Sequence, residues 1–224
     1  MKSMSLSLFI ISVLFFSANT YATPVPFDLI GVNDPNLKAH VEFGYDSGTG
    51  TISIAVMNTS LFYGSPPDDP RLTGFAFNAP TNVTGISSST LPVGWTAVFD
   101  PNSINTPGQF GFFDIGAITG PNFNGGSPNS GIPRSSTFSF SLVLAGTNLD
   151  TLNEMSFLSL FSFDQAGPPL ENPQFFILRF QRTGPDGEDS DVAIPNPIPE
   201  PATMLLLGSG LIGLAGFARK KFKK

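Results

Sequence analysis

The sequence of 224 residues contains no cysteine and a single histidine, His40. Without cysteine the chain cannot form disulfides, and both thiolate catalysis and cysteine-based metal sites are excluded. With one histidine, a metal site built from several imidazoles is excluded as well. The fold must therefore be stabilised by its packed core, and any active site must be built without cysteine and with at most one histidine.

Basic residues are scarce between residues 23 and 201. That stretch holds five of them against all 17 acidic residues, which leaves a formal net charge of −12. Such a charge repels phosphate backbones, so we expect no binding to nucleic acid. The other six of the 11 basic residues lie near the two ends of the chain: Lys2, Arg219, Lys220, Lys221, Lys223 and Lys224.

Residues 1–22 are typical of a signal peptide. Lys2 supplies a positive start, and the apolar run Leu6 to Phe16 has the usual length for an export signal. The small residues Thr20 and Ala22 stand at positions −3 and −1 of a cleavage site after Ala22. The alternative is a permanent N-terminal anchor, for which the run is too short to span a bilayer comfortably. We therefore expect cleavage after Ala22.

A second apolar run, residues 202–218, lies near the C-terminus. Its 17 residues carry no charge, and a helix of that length covers about 25 Å, the lower limit for a bilayer core. The basic residues in 219–224 favour a cytoplasmic tail, so the run is predicted to be a transmembrane helix with the domain outside. Immediately before the run, Pro199-Glu200-Pro201 keeps the chain extended, which is the form a membrane protease can accept.

This order of parts resembles the sorting tail of the PEP-CTERM proteins of Gram-negative bacteria, which are substrates of exosortases. The matching parts are the tripeptide Pro199, Glu200 and Pro201, the span 202–218, and the basic residues Arg219, Lys220 and Lys221. The resemblance is confined to residues 199–224. It implies transient anchoring in the inner membrane, removal of the tail by an exosortase, and delivery to the cell surface or an extracellular polysaccharide matrix. The alternative is a permanent anchor that keeps the domain in the envelope.

Residues 23–183 are predicted to form one all-β domain. The stretch AHVEFGYDSGTGTISIAVMN alternates apolar and polar residues on both sides of a Gly-rich turn, which indicates a β-hairpin. Six further strands are predicted: LTGFAFNA, GWTAVFD, QFGFFDI, STFSFSLVL, SFLSLFSF and QFFILRFQ. One helical turn is predicted in TNLDTLNEM. About eight short strands separated by turns favour an antiparallel β-sandwich or a jelly roll.

The stretch 184–198 is acidic and rich in proline, and it lacks strand alternation. We interpret it as a solvated linker between the domain and the tail. Its acidic cluster is Asp186, Glu188, Asp189 and Asp191. The spacing of these acids does not match an EF-hand loop, so a charged linker is favoured over a calcium site.

No residue is assigned a catalytic, cofactor-binding or metal-binding role. His40 falls in an alternating strand, and no serine has the surroundings of a nucleophile elbow, so a partly exposed strand residue is favoured over a catalytic base. Sugar platforms favour Trp and Tyr, which leaves Trp95, Tyr45 and Tyr63 as candidates for a lectin-like role. We expect a structural or binding protein whose partners are exosortase and extracellular polysaccharide. A polysaccharide-acting hydrolase stays open as the alternative, because paired carboxylates are defined by their separation in space.

Overall fold

The computed structural model describes residues 23–61, 69–163, 170, 172–184 and 186–196. The predicted signal peptide with its cleavage site after Ala22, the transmembrane helix 202–218 and the basic tail 219–224 lie outside these residues. No helix within the described ranges is long and apolar enough to cross a membrane.

Ten strands in the described part of the chain form one antiparallel sheet. The strands are β1 (Val25–Gly31), β2 (Lys38–Asp46), β3 (Thr51–Asn58), β4 (Arg71–Phe77), β5 (Val83–Thr90), β6 (Thr96–Asn105), β7 (Phe112–Ile118), β8 (Thr137–Gly146), β9 (Phe176–Thr183) and β10 (Asp189–Pro195). Their order across the sheet is β5-β8-β3-β2-β1-β10-β9-β4-β7-β6. A single helical turn, α1 (Met155–Leu158), and three short 3-10 turns complete the described elements: Gly108–Phe110, Pro128–Ser130 and Leu149–Thr151.

The all-β antiparallel prediction is confirmed, but the strands are not divided between two sheets as a sandwich or jelly roll requires. One sheet curls until its two outermost strands, β5 and β6, approach each other. Both architectures bury the same face of each strand, so apolar alternation does not distinguish them. Strand pairs distant in sequence determine the architecture. The main one is β1 with β10, which joins the two ends of the described chain.

The predicted hairpin is formed by β2 and β3, with Asp46 opposite Thr51 at the turn. Three buried pairs face each other across it: Val41 with Val56, Phe43 with Ile54, and Tyr45 with Ile52. The turn closes at Gly50, whose φ of +65° lies in the left-handed region that glycine adopts without strain. The predicted helical turn in TNLDTLNEM is also confirmed, by the 3-10 turn Leu149–Thr151.

Aromatic side chains fill the interior of the curled sheet. Phe77 and Phe176 stack at 5.8 Å between ring centroids, and Phe75 contacts Phe140 edge-on at 4.9 Å. These rings are buried almost completely. Such pairs contribute beyond their buried area, so phenylalanine packing replaces the cross-links that a cysteine-free chain lacks.

Part of the sheet is also covered on its outer face. A second apolar cluster lies there and is formed by Ala76, Ile104, Phe110, Phe113, Ile118, Phe123, Ile177 and Val192. Phe110 and Phe123 belong to the connections that precede and follow β7. As a result, six consecutive residues of β4 and six of β7 are buried.

The stretch predicted as a linker, 184–198, contains strand β10. This strand lies between β1 and β9, where Ala193 is opposite both Gly31 and Leu178. Asp191, Val192 and Ala193 are buried in succession, because both faces of the sheet are covered here. Two covered faces remove the alternation on which the strand prediction relied, and this corrects the linker interpretation.

The predicted strand SFLSLFSF is likewise wrong. Its first half belongs to α1, where the adjacent residues Phe157 and Leu158 are both buried. Its last residue, Phe163, forms an isolated bridge with Phe112. Phe157 and Leu158 pack against the sheet interior, whereas Phe161 and Phe163 are exposed, so the apolar residues do not line one face of a strand.

Candidate functional site

Strands β1 and β10 bring the first and last described residues to the same end of the sheet. The strands are antiparallel, with Leu29 opposite Pro195. Just beyond the pairing, the backbone N–H of Asn196 donates to the carbonyl of Asp28 at 2.9 Å. We name this end, where β1 begins and Asn196 leaves the sheet, the exit end. The chain leaves the sheet there three residues before Pro199.

A buried carboxylate fixes the strand that leads to the exit end. Asp191 is 4% exposed, and its Oδ2 accepts from the backbone N–H groups of Asn33 and Asp34, each at 3.0 Å. Its Oδ1 accepts from Asn33 Nδ2 and from the N–H of Val192, each at 2.8 Å. The carboxylate therefore ties β10 to the turn that follows β1.

The acidic cluster singled out in the sequence is dispersed. Asp191 points inward and uses its oxygens on N–H donors, whereas Asp186, Glu188 and Asp189 are exposed. In the described ranges, no three acidic or histidine side chains lie close enough together to hold a metal ion. On the adjacent strand, burial lowers the pKa of the Arg179 guanidinium, and the charge of Asp191 opposes this effect.

His40 is a partly exposed strand residue, as predicted. Its Nδ1 lies 2.7 Å from Oδ1 of Asp28, directly across the β1–β2 pair. The two side chains are 38% and 72% exposed. This pair stands on the outer surface of the sheet, where Asp28 also lines a cleft of about 260 Å³ together with Lys38, Thr59 and Asn196.

The aromatic candidates for sugar stacking do not present open ring faces. Trp95 is 7% exposed and donates its Nε1–H to the carbonyl of Ser130 at 2.8 Å. Tyr45 is 4% exposed and donates its hydroxyl to the carbonyl of Leu149 at 2.8 Å. Tyr63 lies outside the described residues. The two described rings are therefore parts of the core.

Two of the open clefts on the outside of the sheet differ in their lining. One, of about 300 Å³, is lined mainly by small side chains of β3 and β8, among them Ser53, Ser139 and Ser141. The other, of about 390 Å³, lies beside β6 and is lined by polar and apolar groups. The polar residues of this second cleft are Asp100, Ser103, Asn105, Asn122 and Asn124. Carboxylate, amide and hydroxyl groups are hydrogen-bond partners for sugar hydroxyls, so the lining of this cleft suits a hydroxyl-rich ligand.

Comparison with known families locates the functional signal in the tail. Residues 197–220 match the family described as the PEP-CTERM protein-sorting motif. The chain carries a PEP-CTERM sorting motif. The match includes Pro199, Glu200, Pro201, Arg219 and Lys220, and Lys221 follows it directly. The motif implies an exported protein that exosortase processes and sorts to the cell surface.

The PEP-CTERM motif lies outside the described residues, so the structure defines its attachment point and not its own conformation. Its matched stretch begins at residue 197, directly after Asn196 at the exit end. No match was found among curated proteins or among solved structures. The family match therefore concerns how the protein is sorted, whereas conclusions about the domain depend on the domain's own geometry.

Proposed function

We propose that the chain is anchored transiently in the inner membrane, cleaved by exosortase near Pro199-Glu200-Pro201, and released to a surface or extracellular polysaccharide matrix. The domain then serves a structural or binding role there. The observation that carries this proposal is the order of tripeptide, apolar run 202–218 and basic cluster within a stretch that matches the sorting motif.

The geometry of the exit end is compatible with cleavage of a folded substrate. The last described strand ends at Pro195, and the next residue, Asn196, makes a backbone hydrogen bond to Asp28. A cut at or after Pro199 removes none of the described strands and none of the described contacts of Asp191. The sheet can therefore fold before processing and keep its core afterwards.

A structural or binding role is favoured over catalysis by the described side chains. Asp191 is engaged with backbone and amide donors, and His40 pairs with Asp28 on an open surface. The polar cleft beside β6 offers Asp100 and several amides to a hydroxyl-rich ligand. We therefore propose extracellular polysaccharide as the partner and assign no reaction.

The Glu200→Ala variant tests the sorting route. Insertion depends on the apolar run and the basic cluster, whereas recognition depends on the extended tripeptide outside the bilayer. Losing a carboxylate that pairs with a cation of the enzyme costs about 2–5 kcal/mol, or roughly 30-fold or more in recognition. The variant should accumulate as a larger, membrane-integral form with its domain outside, measured by size and by carbonate extraction.

Glu188→Ala is the matched control for this variant. Glu188 is an exposed acid on the connection before β10, and its removal changes the net charge by the same amount. The control should mature at the normal rate. Normal maturation of Glu200→Ala as well would contradict the proposed role of the tripeptide.

Incubation of the sorted protein with the native polysaccharide tests the role of the domain. We expect the protein to sediment with the polysaccharide and to release no reducing ends. Release of reducing ends would overturn the non-enzymatic proposal in favour of a hydrolase. Absence of both sedimentation and release would contradict polysaccharide as the partner.

A further inference from the structure

Exposed apolar side chains are concentrated in one short segment. Six large apolar residues are exposed in the described part of the chain: Met57, Leu61, Val93, Met155, Phe161 and Phe163. Three of them fall in residues 155–163, where Met155 is 55%, Phe161 56% and Phe163 38% exposed. Two exposed phenylalanines so close in sequence are a costly feature for a surface that faces only water.

This segment lies at the exit end. Glu154, just before it, accepts from the backbone N–H of Tyr45, where β2 ends. Phe161 contacts Phe175 edge-on at 6.3 Å, and Phe175 contacts Phe27 at 5.4 Å. Phe27 is the neighbour of Asp28, to which Asn196 is bonded.

Phe163 lies at the same end of the sheet, next to the start of β7. Its carbonyl accepts from the N–H of Phe112, the first residue of β7, at 3.0 Å. Because β7 runs antiparallel to β4 and β4 to β9, the start of β7 lies at the end where β9 begins and β10 finishes. The exposed rings and the departing chain therefore share one end of the molecule.

Chain length places this end close to a bilayer in the anchored precursor. Five residues lie between Asn196 and Ala202, the first residue of the apolar run, so six residue steps join the two. Fully extended, they span at most about 20 Å. The headgroup region on each side of the hydrocarbon core is about 5–8 Å thick. The exit end thus cannot move far from the lipid surface while the tail is inserted.

We propose that Met155, Phe161 and Phe163 form a lipid-docking surface that contacts the outer face of the membrane while the tail is still attached. This proposal rests on the sorting route proposed above, because it needs the tail inserted. The contact is apolar and not electrostatic, since the exposed acids Asp28 and Asp150 lie at the same end. It holds the tripeptide at a fixed height, and it is lost when the tail is removed.

The test uses the full chain from Thr23, with its tail, reconstituted into phosphatidylcholine vesicles that contain brominated acyl chains. Phe161→Trp places a fluorescent probe in the proposed surface. Val93→Trp is the matched control, because Val93 is 96% exposed in the β5–β6 connection at the opposite end of the sheet. Native Trp95 is buried in the folded chain, so its emission reports whether each variant is folded.

We expect the emission added by the tryptophan at 161 to shift to the blue and to lose most of its intensity in bromolipid vesicles. The tryptophan at 93 should keep its intensity. Equal intensity at both positions, with the chain resistant to carbonate extraction, would overturn the docking surface and leave the sorting proposal standing. A chain that carbonate removes from the vesicles would overturn both, because the tail then does not anchor it.

The experiment also detects a second copy of the chain, if that copy and not lipid covers the proposed docking surface. Burial by a second copy would protect the tryptophan at 161 from aqueous acrylamide only at high protein density, with no loss of emission to bromolipid. That result would overturn the lipid proposal. The vesicles contain no exosortase, so a loss of emission to bromolipid cannot come from contact with the enzyme.

Discussion

The two halves of the sheet bury their side chains in different ways. In β3 and β8 buried residues alternate with exposed or half-buried ones, so that only the interior face is covered. In β4, β7, β9 and β10 runs of consecutive residues are buried, because connections cover the outer face as well. The difference shows that a strand is easy to recognise in sequence when one of its faces meets water and hard when neither does.

The largest effect should follow from opening the covered outer face. Ile177 is fully buried in the outer cluster, and Ile177→Ala should lower the free energy of unfolding by about 2–5 kcal/mol, because it leaves a cavity. Val143 is a half-buried residue of the alternating half, and Val143→Ala is the control, expected to cost about 1 kcal/mol or less. Chemical denaturation measures both. Equal losses of unfolding free energy in the two variants would show that the two halves of the sheet do not differ in how their outer faces are covered.

Asp191→Asn should have the next largest effect. The amide cannot replace both acceptor oxygens, so the N–H groups of Asn33 and Asp34 lose a charged partner, at about 1.5–3 kcal/mol. Asp189→Asn, an exposed acid two residues earlier in the same strand, is the matched control and should change stability little. If both variants unfold at the same denaturant concentration, β10 is not secured by its buried carboxylate.

The smallest loss of stability is expected from Tyr45→Phe. Tyr45 lies near the end of β2, at the exit end. Its hydroxyl bond to Leu149 contributes about 0.5–1.5 kcal/mol, which Tyr45→Phe removes. Burial, with the charges of Asp46 and Asp150, raises the pKa of Tyr45 above its ordinary value of 10.0.

A raised pKa means that the folded protein holds this proton more tightly than the unfolded chain does. The contribution of Tyr45 is therefore complete below pH 10 and declines as the pH rises through the pKa of the folded state. Unfolding curves between pH 7 and pH 11 should show the gap between wild type and Tyr45→Phe narrowing at the alkaline end. A gap that widens there would contradict the assigned direction.

The same comparison explains which strands could be predicted. The β2–β3 hairpin and β8 carry clean alternation. Strand β1 contains Pro26, which signals a break, yet Pro26 lies where β1 pairs with β2 alone and not with β10. Strand β5 has two register shifts, after Val83 and after Ile86, and these interrupt its pattern. Local composition could not reveal these pairings, because partners distant in sequence create them.

The candidate site divides in a similar way. The tail could be predicted, because the sorting signal is a linear order of parts that requires no folded partner. The attachment of the tail could not be predicted, because the acidic composition of 184–198 is typical of a solvated linker. Only the fold shows that Asp191 is buried against Asn33 and that Asn196 is bonded to Asp28. The tail is therefore joined directly to the sheet.

The central claim is that the chain is processed at both ends around an intact sheet. The most direct test is the intact mass of the protein recovered from the cell surface or matrix. The predicted mass corresponds to a chain that begins at Thr23, contains every strand through Pro195 and lacks the apolar run 202–218 and the basic residues after it. A mass that extends to Lys224 would contradict the sorting account.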